Sequence, residues 1–473
     1  MAQRDLTIRA AATKKLSTLS YTDTELTITD GRVIQVPMRQ VIGARRDART
    51  LNLSYIARKK KADPMSLTNF VGTVEDAEDD AVDAWIETLL HMAYEGAGVK
   101  RGRRLKVIIN PHGGTKKGVA IFNKTIEPIL RTAQCSLDVI HTTRGGHAYD
   151  IAKTIKFEYD AIVVVSGDGL VHEILNGFAH HEQPINAFRI PLAPVPTGTG
   201  NGLSLNLLGM NDGFDVSAAA LNVVKGLSMN VDVFSLTQNG KRTISFMSQG
   251  MGLIADLDIG TEHLRWMGEA RFMYGLLRGM IQFKPCPVQL SYKAVELDKD
   301  KMIDTLRKRR MKDKDKDVPA PPSLQNSEAE TALPPLKHSS TDNDGWTTLE
   351  KPLLYVFAGK GPYVGRDLMA FPVSLPDDGL IDIIAQPVSS RSEILLSLGG
   401  APKGELYWNS SLQYIKAHAY RVKPLSPKGA LAVDGEIFPF EEFQVETHQG
   451  LATLLSPHGY YAAEPAPRPK RKT

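Results

Sequence analysis

The sequence predicts an α/β protein: a parallel-sheet domain joined to a second, largely antiparallel β domain and preceded by a small β unit. Three observations carry this. Between Leu105 and Gly209, short apolar strands alternate with helical stretches, and the strands run into glycine-bearing or polar turns. From Val231 onward, strands follow one another across longer loops. Ahead of residue 100, short alternating runs are closed by one helix. At 473 residues the chain exceeds one ordinary domain. A net charge of +4 with 23% charged residues gives no argument for a nucleic-acid partner. The opening MAQRDLTIRA lacks an apolar targeting core, and no stretch approaches the roughly 20 apolar residues of a membrane span. The expectation is a cytoplasmic chain, at most peripherally membrane-bound. Cys135 and Cys286 lie far apart without metal-ligand spacing, so neither a zinc site nor a disulfide framework is expected.

Residues 1–99 form the first expected unit. Glu25–Thr29 and Leu51–Ile56 read as strands, separated by turn signals such as Asp30-Gly31, and Ala81, Trp85, Leu89, Leu90 and Met92 recur at near-helical spacing, with Trp85 sealing a core. A β unit closed by one C-terminal helix resembles a pleckstrin-homology pattern. The run Arg58-Lys59-Lys60-Lys61 reads as solvated loop charge, with anionic lipid headgroups as the alternative partner.

Residues 100–230 carry the α/β alternation. Leu105–Ile109 leads into Asn110-Pro111-His112-Gly113-Gly114, then a helix bearing Ile121, Ile126, Ile129 and Leu130. Leu137–Thr143 precedes a helix from His147, and Pro191–Val195 enters PTGTGNGL. Between these, Ile162–Val165 is an apolar, β-branched run of the kind buried on both faces, and it stops at Ser166-Gly167-Asp168-Gly169. Glycine turns let backbone amides approach an anion, and a helix N-terminus adds roughly half a positive charge. A carboxylate among such amides repels phosphate unless it accepts a proton from the attacking group, so Asp168 is the candidate base, with helix capping as its alternative role. Parallel-sheet topology places these turns along one edge, where ligands of such sheets sit.

Residues 231–458 form the second domain, with expected strands at Val231–Leu236, Thr243–Ser248, Val288–Tyr292, Leu353–Ala358 and Leu380–Ala385. A helical stretch, HLRWMGEARFMYGLLRGMIQF, interrupts them. Residues 298–345 are expected to be a disordered insertion, because lysine, aspartate and proline abound and aromatics are scarce. The tail, 459–473, is expected to be disordered and basic.

SGDGLVHEILNG, NPHGG, PTGTGNGL, GLIADLDIGTEHLRWMGEARF and VDGE, in this order, resemble the sphingosine (sphingoid long-chain base) kinases of the diacylglycerol kinase catalytic superfamily. The resemblance spans about Leu105 to Leu455 apart from the insertion. It implies an ATP-binding α/β domain like that of NAD kinases and diacylglycerol kinases, a β-sandwich domain holding the lipid, and ATP with Mg2+ in the cleft between them. Asn110, Gly113, Gly114, Ser166, Gly167, Gly169, Gly198, Thr199 and Gly200 would face the nucleotide, while each glycine alone also fits a turn that needs positive φ. Thr142 matches a nucleotide-contacting threonine, although the family carries Asn where Gly146 stands.

The remaining positions follow from the same resemblance. Asp168 matches the catalytic aspartate, and Glu173 a position supporting the nucleotide site. Asp258 matches the aspartate that receives the amino-alcohol head group, which ceramide kinases lack; Asp256 is the neighbouring alternative. Arg265 and Arg271 match arginines on the ATP phosphates, with ion pairs to Glu262 or Glu269 as the alternative. In VDGE, Gly435 and Glu436 fall at the nucleotide and Asp434 near the metal, while a plain Asp-Gly hairpin fits the same residues. The expected activity is transfer of the ATP γ-phosphate to the primary hydroxyl of a sphingoid base. Ceramide or diacylglycerol phosphorylation, and a silent lipid-binding scaffold, are the alternatives. The implied partners are the lipid and a membrane surface, with no nucleic acid.

Overall fold

The computed structural model describes residues 5–75, 77–114, 116–260, 274–275, 278–279, 283–314, 332–338, 344–392, 394 and 400–468. The N-terminal unit comprises β1 (Asp5–Ala10), β2 (Leu16–Tyr21), β3 (Glu25–Thr29), β4 (Val33–Pro37), β5 (Val41–Asp47), β6 (Thr50–Ala57), β7 (Ser66–Val74) and helix α1 (Asp79–Ala93). The strands make one sheet in the order β4-β3-β2-β1-β7-β6-β5, with every neighbour antiparallel. Period-two burial directs Leu6, Ile8, Leu19, Leu26 and Ile28 inward. Onto that layer α1 presents Val82, Trp85, Ile86 and Leu89, with the Trp85 ring 5.3 Å from that of Tyr21.

This unit shares its core with the next: one apolar cluster runs from Leu6 and Trp85 through Val107, Leu130 and Val163 to Val224. Arg58 pairs with Asp212 and Asp215, and Lys225 donates from Nζ to the Ala93 carbonyl at 2.6 Å.

The α/β part comprises β8 (Arg104–Ile109), α2 (Gly118–Ile121) continued through a π-turn at Phe122–Ile126 into α3 (Glu127–Thr132), β9 (Ser136–His141), α4 (His147–Lys153), β10 (Ala161–Ser166), α5 (Asp168–Ala179), α6 (Pro184–Phe188), β11 (Leu192–Pro196), α7 (Gly202–Asp212) and α8 (Val216–Lys225). The four strands are parallel in the order β9-β8-β10-β11, as the alternation predicts. All four strand-end turns therefore open on one edge.

The second part comprises β12 (Leu227–Gln238), β13 (Lys241–Ser245), β14 (Ser248–Gly252), α9 (Leu253–Ile259), β15 (Val288–Glu296), α10 (Lys299–Lys314), β16 (Thr347–Leu349), β17 (Leu353–Gly359), β18 (Tyr363–Gly365), β19 (Leu368–Met369), β20 (Ile381–Pro387), β21 (Gln413–Pro424), β22 (Leu431–Val433), β23 (Glu436–Phe438) and β24 (Phe443–Ser456). Its sheet is continuous with the parallel one, running β23-β22-β14-β17-β20-β21-β24-β11-β10-β8-β9. The join is β24. Its first residues pair antiparallel with β21, and Leu454 near its end pairs parallel with Leu192 of β11.

Three expectations change. Thr243–Ser248, read as one strand, is two, because a turn at Phe246-Met247 separates β13 from β14. Residues 299–314, expected to be disordered, form α10, whose Met302, Ile303 and Leu306 are buried, the first two against Phe357, Phe371, Tyr407 and Tyr414. Composition hid this, because three apolar side chains at helical spacing suffice to dock a helix whose remaining surface is charged. The first part of the tail is also ordered. Tyr461 and Ala463 are buried, Ala462 donates its N–H to the Asn206 carbonyl at 2.7 Å, and Trp408 donates to the Ala466 carbonyl at 3.1 Å.

Candidate active site

Backbone proximity explains the glycines. A Cβ at Gly198 would lie 2.3 Å from the Gly167 Cα, one at Gly167 would lie 2.6 Å from the Gly200 carbonyl oxygen, and one at Gly114, with φ of 54°, would lie 2.5 Å from the Thr197 carbonyl oxygen. The turns after β8, β10 and β11 thus press on one another, which any side chain at these positions prevents. Asn110 holds the first turn, accepting the His112 N–H on Oδ1 at 3.0 Å. Asn201 ties the third, accepting the Gly198 N–H and donating to the Gly198 carbonyl.

Against these turns lies a cavity of about 340 Å³ lined by Asn110, His112, Gly113, Gly114, Thr142, Arg144, Gly145, Leu170, Glu173 and Thr199. Six of the expected nucleotide residues meet in this wall. Ser166, Gly167, Gly169, Gly198 and Gly200 belong to the turns that back it. Glu173 also accepts the Ala148 N–H at 3.1 Å, so its capping and cavity-lining roles coexist. Gly146 has φ of 77°, a left-handed conformation that Asn tolerates best among other residues; the departure from the family pattern keeps the backbone and removes a side chain. His112, Arg144 and Leu170 were not singled out from sequence. Arg144 is ion-paired with Asp150 beside the cavity, and the Arg-Gly-Gly run was the only signal for it.

Asp168 begins α5 but caps another helix. Its Oδ2 accepts the Gly202 N–H at 2.7 Å and its Oδ1 the Leu203 N–H at 3.3 Å, at the start of α7. Burial pushes the carboxyl up to about 6, against the lowering effect of these two hydrogen bonds, and nearby Asp434 adds to the rise. Each oxygen accepts one of these bonds and keeps a lone pair, so the capping and base roles are compatible.

Asp434, expected near the metal, is surrounded by protein donors. Its Oδ1 accepts from Ser245 Oγ, Met247 N and Ser248 N at 2.9–3.0 Å, and its Oδ2 from Phe246 N at 3.1 Å and His172 Nδ1 at 2.8 Å. Its side chain is fully buried, and protein donors occupy the lone pairs a cation needs. What Asp434 does is fasten the β22–β23 hairpin to the β13–β14 turn and to α5. Burial pulls the His172 imidazole down, yet the Asp434 hydrogen bond and charge overcome this and raise it above its ordinary value. The same hairpin brings Glu436 against the first turn of α5, with Glu436 Oε1 3.6 Å from where a Cβ on Gly169 would lie. Gly435 forms the tip at φ of 85°.

Asp258 lies on α9, which β14 delivers beside β17 and β22; its side chain falls outside the described residues. Asp256 on the same helix is exposed. Arg265 and Arg271 also fall outside the described residues. Among the described residues, no helix is long and apolar enough to cross a membrane.

A family model described as the diacylglycerol kinase catalytic domain matches residues 104–236, and one described as a domain of unknown function (DUF7493) matches residues 1–95. The chain is 31% identical over 430 residues to sphingoid long chain base kinase 4 of Schizosaccharomyces pombe, covering 90% of this chain and 88% of that one. It is 30% identical to sphingoid long chain base kinase 5 of Saccharomyces cerevisiae, covering 81% of this chain and 63% of that one, and 28% identical to human sphingosine kinase 1, covering 75% and 91%. Among solved structures, a Bacillus anthracis protein named for the diacylglycerol kinases superposes with a TM-score of 0.52 at 21% identity, covering 76% of this chain and 96% of that one, which supports the fold alone. The turns, the buried aspartate and the extent of these matches agree: the chain belongs to the sphingoid long-chain base kinase family.

Proposed function

We propose that this protein is an ATP-dependent lipid kinase that phosphorylates the primary hydroxyl of a sphingoid long-chain base. The observation that carries this reading is Asp168, a buried carboxylate raised to about 6, set among three interlocked glycine turns beside the cavity. Phosphoryl transfer demands positioning and charge neutralisation more than covalent chemistry. The turn amides and Thr199 would hold ATP phosphates, and Thr142 and Asn110 the adenosine side. Asp168 accepts the hydroxyl proton as the lipid oxygen bonds to the γ-phosphorus and the bond from that phosphorus to the β-phosphate oxygen breaks, releasing ADP. Arg265 and Arg271 would add phosphate contacts, and Asp258 would pair with the lipid ammonium, which favours a sphingoid base over ceramide or diacylglycerol.

Carboxylates at this mouth fit a nucleotide-borne Mg2+, because magnesium in such sites takes one or two carboxylates plus phosphate oxygens. Glu436 is the residue that would hold it, and an ion bound there would neutralise charge developing on the phosphate. The antiparallel part is read as the lipid-holding β-sandwich, and residues 1–99 as a pleckstrin-homology-like unit, supported by seven antiparallel strands and one closing helix. The substrate is membrane-resident, which supports peripheral contact with a bilayer.

The test is incubation with labelled ATP and, separately, sphinganine, phytosphingosine, ceramide, diacylglycerol and NAD. Label is expected in the two long-chain bases. Label confined to ceramide, diacylglycerol or NAD would overturn the substrate assignment, and label in none would favour a silent scaffold.

A further inference from the structure

The N-terminal sheet has one end unlike the other. Strand registers bring Leu16 level with Arg9, Thr18 level with Thr29, and Thr29 level with Val33, so the β1–β2 and β3–β4 turns open at the same end. Asp30 of the second turn binds them together, accepting from Thr13 Oγ1 at 2.7 Å and Ser17 Oγ at 2.9 Å. Leu16, Thr18, Thr29 and Val33 follow the two-residue alternation onto the outer face, opposite the buried Ser17, Leu19 and Ile28. Leu16 is 58% and Val33 65% exposed, and no core requirement explains either. Each stands next to exposed cations, Lys14 and Lys15 before Leu16 and Arg32 before Val33. The β6–β7 loop leaves the sheet toward the same end and adds exposed Lys59, Lys60 and Lys61. The acids nearby are engaged internally: Asp30 as above, and Asp63 by the Lys60 N–H at 3.1 Å.

Apolar tips set among lysines and arginines suit an interface that is greasy a few ångströms in and negatively charged at its surface. Nucleic acid would use the cations but offers nothing to two exposed aliphatic side chains. The orientation is fixed, because the Arg58 pairs with Asp212 and Asp215, and the Met65 N–H on Asp215 Oδ2 at 2.6 Å, brace the β6–β7 loop against the catalytic part. We propose that this end of the N-terminal sheet, with Lys14, Lys15, Arg32 and Lys59–Lys61 around Leu16 and Val33, docks on an anionic phospholipid bilayer. It deepens the lipid-kinase reading, since it would hold the active site at the surface where the substrate resides.

The test is co-sedimentation of the full chain with phosphatidylcholine vesicles, with and without phosphatidylserine, at low and physiological salt. Wild type is expected to bind only the serine-containing vesicles, and less at higher salt. Each cation near such a surface is worth about fivefold in affinity, so a Lys14→Ser/Lys15→Ser/Arg32→Ser variant should bind on the order of a hundredfold more weakly. A Leu16→Ser/Val33→Ser variant should bind more weakly while keeping the salt dependence. A Lys14→Arg/Lys15→Arg variant should bind like wild type, which controls for folding. Undiminished binding of both serine variants, failure of wild type to bind, or preference for RNA over vesicles would overturn the proposal. Phosphorylation of detergent-dispersed sphinganine separates the two readings. Activity without vesicle binding defeats the docking surface alone, and vesicle binding without activity on any substrate defeats the kinase alone.

Discussion

At the scale of single residues, one carboxylate is poised and another is spent. Asp168 must be ionised to accept a proton, and burial holds it at about 6, so kcat/KM should fall as pH drops below about 6 and level off above it. A pH–rate profile flat down to about 4 would contradict this. Asp434 has no capacity left for a metal, so an Asp434→Asn variant should keep the wild-type Mg2+ concentration dependence while losing about 3 kcal/mol of stability, measured by denaturant titration. A shifted Mg2+ dependence at unchanged stability would restore the metal role. The His172 partnership adds a pH signature. Because its folded value is raised, its stabilisation is present below about 6.5 and is lost as pH rises through the folded value. The melting-temperature gap between wild type and His172→Gln should accordingly be wider at pH 6 than at pH 8.5. The Asp-Gly spacing left the ligand-or-hairpin choice for Asp434 open, since it is decided by donors from β13, α5 and the intervening turn, all distant in sequence.

Among elements, the β-turn-α grammar was the most legible part. Short apolar runs leading into glycine-bearing turns located β8, β10 and β11 to within a residue or two, most clearly β10, whose burial on both faces leaves an unbroken apolar signature. Sequence did not show that the glycines touch one another across turns some thirty to eighty residues apart. A Gly198→Ala variant tests that contact. Its Cβ would meet Gly167 backbone at 2.3 and 2.5 Å, so both turns must part, and ATP-analogue binding should drop at least tenfold in a titration. Affinity near wild type would show that the turns do not act as one cradle. Helix α10 was invisible for the opposite reason. Lysine and aspartate dominate it, and the three side chains that dock it vanish in an average over the segment.

At the scale of the whole molecule, the boundary near residue 230 marks a change of grammar rather than a break in the sheet. β24 pairs with β11 and β21, so hydrogen bonding runs from the parallel strands into the antiparallel part. The Asp434–His172 bond and the Asn206 bonds to the Tyr363 backbone, at 2.6 and 2.9 Å, hold the two parts at the mouth of the site. Such long-range pairing leaves no local trace, which is why the order of strands in the second part was not readable from sequence. On the proposed reading, Asp168 is the proton acceptor between nucleotide and lipid. The most direct test compares wild type with Asp168→Asn for formation of sphinganine 1-phosphate by mass spectrometry, with ATP-analogue binding measured in parallel. The account predicts that turnover falls by about a hundredfold or more while nucleotide binding persists. Turnover near wild type in the folded variant would contradict it.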